Sequence, residues 1–228
     1  MIERLFNFIL ICSYLFPLSI VLLKFFNKVK LSTFPIFIIL YCSCFFFLLN
    51  IYEEIPKAQT PKRIYDTVFT FLEYSFFTFI IWLNIINKVA KKIIIATSIL
   101  FVAFQISYFF LSEHKKLDSI PIGVETILIF VYIFFFLFEQ FKKQKSQYIN
   151  NNYCFWLAVG MMIYLAGSFF FYILANLLET EQIDSYWKFS YLADIAKNIL
   201  FTIGTFFFFK QPNENKTNKK TIPYLDLT

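Results

Sequence analysis

Long apolar runs, broken at short intervals by polar stretches, set the architecture of this chain before any single residue is considered. Seven runs are long enough to cross the roughly 30 Å of a bilayer's hydrocarbon core as helices. They fall near residues 5–23, 34–52, 67–86, 93–111, 120–138, 154–177 and 189–209. The polar stretches between them leave no room for an extramembrane domain, and residues 210–228 read as a disordered cytoplasmic tail. The expected fold is all-α: a polytopic membrane helix bundle of seven transmembrane helices. No small-x-small cleavage site follows the first run, so it is expected to stay in the protein as a span.

Composition agrees with that pattern. Apolar residues make up 59% of the chain and charged residues 16%, where soluble domains carry about a quarter charged. The 35 phenylalanines, 14 tyrosines and the preference for lysine over arginine match the bias of an AT-rich bacterial genome. A net charge of +6 does not mark a nucleic-acid surface here, because the basic residues come in small clusters between apolar runs. Such clusters fit loops lying against an anionic leaflet.

The clusters also give an orientation. Lys24, Lys28, Lys30, Lys88, Lys91, Lys92, Lys142, Lys143, Lys145, Lys210, Lys216, Lys219 and Lys220 fall on one side. The other side holds Arg4, Lys57, Lys62, Arg63, Lys115, Lys116 and Lys188 together with most of the acids, among them Glu53, Glu54, Glu113, Glu179, Glu181 and Asp184. The positive-inside rule then predicts the N-terminus outside and the C-terminus in the cytoplasm.

Punctuation within the runs is sparse. Pro35 and Pro121 fall near helix starts, where a missing N–H costs little, and Pro56 and Pro61 bracket an outer loop. Pro17 sits well inside the first run and predicts a kink there. Gly160 and Gly167, with Ala158, Ala166 and Ala175, allow close helix approach, within the bundle or across a dimer face. Cys12, Cys42, Cys44 and Cys154 lie in or at the edge of apolar runs and read as packing residues; Cys42 and Cys44 point about 200° apart on a helix and cannot share a metal.

Ionisable residues inside spans are costly and face a partner or a cavity. Glu73 in the third run and Asp194 and Lys197 in the seventh lie at similar depths, at 1.5 Å per residue, in the outer half of the bilayer. The seventh run inserts only marginally by itself, so its polar stripe of Ser190, Asp194, Lys197, Asn198 and Thr205 is expected to face the bundle interior. Two readings of the cluster stay open. In one, Asp194 and Lys197 neutralise each other and Glu73 is structural glue. In the other, the cluster lines a cavity open to the outer side, to which Gln105 and Glu125 add polar walls.

Catalytic signatures are absent from the sequence: no P-loop, G-x-S-x-G elbow or H-E-x-x-H occurs, and the single histidine, His114, lies in an outer loop. The expectation is a non-enzyme with no metal and no resident cofactor. The segments L-E-Y-S-F-F at 72–77 and A-K-N-I-L-F at 196–201 resemble small seven-span inner-membrane proteins of Bacteroidota to which no activity is assigned. A lysine in helix seven with a carboxylate in helix three also resembles the retinal-binding layout of rhodopsins. That resemblance would make Lys197 the Schiff-base lysine and Glu73 or Asp194 its counterion. It departs from the microbial type in placing Asp194 three residues before the lysine instead of four, and in lacking the helix-three R-Y-x-D-W-type run.

A polar cluster towards one face, with apolar helix below it apart from Asn84, Thr202 and Thr205, favours a receptor-like or sensory component. A transporter or channel for a small solute or ion is the alternative, and a retinal photoreceptor the second. With so short a tail, a receptor of this kind needs a separate cytoplasmic signalling partner.

Overall fold

The computed structural model describes residues 2–26, 32–52, 54–55, 59–112, 119–143, 151–175 and 180–210, with only the backbone course given for 2–5, 59, 143, 172–175 and 180–188. Among the expected loop and tail residues, Lys28, Lys30, Glu53, Lys57, residues 113–116, Lys145, Glu179 and residues 211–228 lie outside the described ones. The described residues form eight helices and no strand: α1 (Ile2–Ser13), α2 (Leu15–Phe26), α3 (Thr33–Tyr52), α4 (Gln59–Asn84), α5 (Lys88–Leu111), α6 (Ser119–Lys143), α7 (Tyr153–Ala175) and α8 (Thr180–Lys210). Seven segments among them are long and apolar enough to cross a membrane, with α1 and α2 sharing the first. The chain is a multi-pass membrane protein.

The break between α1 and α2 comes from Pro17. It has no N–H to give to the Ser13 carbonyl, and its ring crowds that carbonyl. The helix stops at Ser13, Tyr14 N–H bonds back to the Ile11 carbonyl at 3.3 Å, and helix resumes at Leu15. Ser13 and Tyr14, at the break, are both buried. In α4 the buried positions Thr70, Glu73, Tyr74, Phe77, Ile80 and Ile81 recur at helical spacing, whereas Phe71 and Phe79 face outward. An outward belt including Leu100, Phe110 and Phe134 is the surface hydrocarbon requires.

Helices outrun the apolar segments. The third span occupies Thr60–Asn84 instead of starting at Thr67, because charged Lys62, Arg63 and Asp66 end the apolar run without ending the helix. Pro61, in the first turn of α4, is compatible with helix there and does not close a loop. The seventh span, Phe189–Lys210, is the last part of α8, which begins nine residues earlier, at Thr180. Lys210 ends α8.

Successive spans alternate in direction. Arg63 at the start of α4 donates to the Tyr108 carbonyl and Ser112 Oγ at the end of α5, while Tyr153 at the start of α7 donates to Asn84 Oδ1 at the end of α4. One end of the bundle thus carries Lys24, Lys88, Lys142 and Lys210, and the other carries Arg63. At the lysine-rich end, a turn of three residues joins α4 to α5. Asn87 caps α5 by accepting from the Val89 and Ala90 amides, and Glu139 of α6 accepts from the Ile86 and Asn87 amides.

α7 and α8 make the most extensive helix pair, through small residues. A Cβ on Gly167 would stand 2.7 Å from Ala193 Cβ, one on Gly204 2.9 Å from the Tyr153 carbonyl, and one on Gly160 3.3 Å from the Lys197 carbonyl. The small-residue face of the sixth span therefore packs inside the bundle, where it brings α8 and its charges against Tyr164.

Candidate functional site

Two polar arrangements sit one above the other along the bundle axis. The deeper is a closed knot around Lys197. Its Nζ lies 2.5 Å from Asp194 Oδ1, one helical turn away, and donates to Tyr14 Oη at 3.3 Å. Tyr14 Oη is 3.0 Å from each Asp194 oxygen, so its proton is directed at the carboxylate while it accepts from the ammonium. The rings of Tyr14, Tyr41, Phe45, Phe77 and Tyr164 surround the ammonium at 4.0–5.9 Å from their centroids, the range of cation–π attraction. Lys197 is 0% exposed. Beside it, Asn198 Nδ2 donates to Ser13 Oγ at 2.7 Å, and Ser13 Oγ reaches the Leu10 carbonyl at 2.6 Å. The Pro17 break thus turns two residues of the first span into partners of the last.

Towards the end away from the lysines lies a cavity of about 100 Å³ walled by every span. Asn7 and Leu10 come from α1, Tyr52 from α3, Tyr65, Asp66, Phe69, Thr70 and Glu73 from α4, and Gln105 and Tyr108 from α5. Pro121 of α6, Tyr164 and Ser168 of α7, and Ser190, Tyr191 and Asp194 of α8 complete it. Asp194 belongs to both arrangements, as part of the cavity's floor and of the knot beneath.

The cavity walls contain acceptors without donors. Gln105 Nε2 donates to the Thr67 carbonyl at 2.9 Å, which fixes its amide nitrogen and leaves Oε1 with no partner. Glu73 Oε1 also has none, although Tyr164 is a side-chain hydrogen-bond partner of its carboxyl. Both residues are more than nine-tenths buried. Each unpaired buried polar atom costs about 1–3 kcal/mol; Tyr41 Oη and Asn198 Oδ1 beside Lys197 also lack a partner, but among the described residues only Glu73 and Gln105 combine an unpaired oxygen with a place in the cavity wall.

Of the residues singled out from the sequence, Glu73, Gln105 and Asp194 line the cavity, while Lys197 and Asn198 lie under it. Glu125, expected as a cavity wall, is not among the lining residues. It stands three residues past Ile122, about one turn deeper in α6, and is 1% exposed, near enough to Glu73 for the two carboxyls to interact. The sequence reading missed Tyr14, Ser13, Tyr164 and Asp66. Pro17 was the available signal for the first two. Asp66 was lost by starting the third span at Thr67.

No protein-family model, curated protein or solved structure matches this chain. What can be said of its function rests on the site itself.

Proposed function

We propose that this protein is a receptor-like or sensory component of a bacterial inner membrane, oriented N-out and C-in, that takes a small ligand into the cavity from the outer side. The observation that carries this reading is the sealed floor. Beside and below Glu73 and Asp194, the side chains of Tyr14, Tyr41, Phe45, Phe77, Lys197 and Phe201 are each at most 1% exposed. Thr202 and Thr205, further along α8, donate to carbonyls of their own helix, and Asn84 is bonded to Tyr153. A one-sided cavity over a closely packed floor suits binding followed by a shift in packing, which a separate cytoplasmic protein would read. Transport needs a second opening. The enclosure of Lys197, and its absence from the cavity wall, weighs against a retinal Schiff base at that position.

Single cysteines at Ser190→Cys and Thr205→Cys, in a chain whose four native cysteines are replaced by alanine, test the reading. A membrane-impermeant maleimide should label the first from the outer side only and the second from neither side. Labelling of Thr205→Cys from the lysine-rich side would favour the transporter instead. Reporter fusions after Lys91, Glu113 and Lys143 test the orientation, and a cytoplasmic Glu113 fusion would overturn it.

A further inference from the structure

The described interior holds three buried carboxyls, Glu73, Glu125 and Asp194, and one buried cation, Lys197. Lys197 is paired with Asp194 and also acts on Glu73, so three buried carboxyls share one buried cation among the described residues. The same region presents two unpartnered acceptor oxygens, Glu73 Oε1 and Gln105 Oε1, on residues that wall one cavity. A second buried cation and N–H donors for these oxygens are therefore missing among the described residues. Phe69 and Tyr164, also in the wall, are aromatic, and aromatic rings attract cations.

Resting on the one-sided cavity above, we propose that its ligand is a small organic cation with N–H donors, a protonated primary amine of a few heavy atoms held between Glu73 and Gln105. The volume of about 100 Å³ sets the size, well below the roughly 300–1,000 Å³ of sites for drug-sized molecules. A neutral donor would satisfy the oxygens and not the charge. A quaternary ammonium would satisfy the charge and not the oxygens.

The test uses the full chain in nanodiscs, with thermal unfolding followed by tryptophan fluorescence in ethylammonium, tetramethylammonium or sodium chloride at equal ionic strength. Ethylammonium should raise the midpoint by about 3 °C or more at ten times its Kd, and should slow maleimide labelling of Ser190→Cys, while the other two salts do neither. Glu73→Gln should abolish the shift, with Gln105→Met as the second variant should Glu73→Gln fold poorly. An equal effect of sodium or tetramethylammonium overturns the proposal, and so does a shift that survives Glu73→Gln. If ethylammonium acts no differently from sodium while Ser190→Cys is reactive from the outer side alone, the amine is excluded and the one-sided cavity stands. An unreactive Ser190→Cys would remove the cavity, and the receptor reading with it.

Discussion

The knot around Lys197 and the wall formed by Glu73 and Gln105 lie about a turn apart and use the same kinds of groups, yet their accounts differ. Lys197 has a carboxylate, a hydroxyl and five rings; Glu73 and Gln105 each have an oxygen facing nothing. Buried charge that is fully partnered holds helices together, and removing one member leaves the other stranded. Buried polarity that is half-partnered adds nothing to stability, and its presence points to a component from outside the chain. Both regions are buried; the difference is that the charges of the knot meet each other, whereas the two oxygens of the wall meet no donor.

The comparison predicts unequal costs for substitutions in the two regions. The largest effect is expected at Lys197: Lys197→Met should cost about 3–5 kcal/mol, read as lost stability or yield, and Asp194→Asn in the same chain should restore part of it. A freely stable Lys197→Met would dissolve the distinction. Tyr14→Phe removes one hydroxyl that touches both charges and should cost about 1.5–3 kcal/mol, the range for hydrogen bonds to charged groups. Gly167→Leu leaves every charge in place but forces α7 from α8 at Ala193; it should cost about 1–3 kcal/mol and test whether the knot depends on that approach. At the wall the cost falls away. Gln105→Met keeps the shape, and removing the unpaired oxygen offsets the lost bond to the Thr67 carbonyl, so stability in thermal unfolding should stay within about 1 kcal/mol of the parent. A loss as large as that of Tyr14→Phe would show that the wall, too, is structural.

The seven-span architecture was legible because a bilayer demands long apolar helices, and few other arrangements of this composition satisfy their backbone groups. Asp194, Lys197 and Glu73 were legible for a related reason: a charge amid twenty apolar residues stands out, and its cost implies a partner. Tyr14 was not. One tyrosine among 14 carries no such signal, and its role depends on where the Pro17 break turns it. Glu125 looked like a cavity residue because its type suits a wall, but depth along α6 decides the matter, and one turn takes it out of the lining. Asp66 shows the converse: ending a span where the apolar run ends discards the charged first turns that a helix retains.

The link from Ser13 and Tyr14 to Asp194, Lys197 and Asn198 spans 180 to 185 residues of chain. At roughly 5–20 residues per second of synthesis, the first span waits about ten to forty seconds for the hydroxyl and amide partners that the last one brings. The last span, with an aspartate and a lysine to hide, enters beside a mate already in place. Assembly of this bundle is thus a matter of timing, with its earliest segment serving as the dock for its latest.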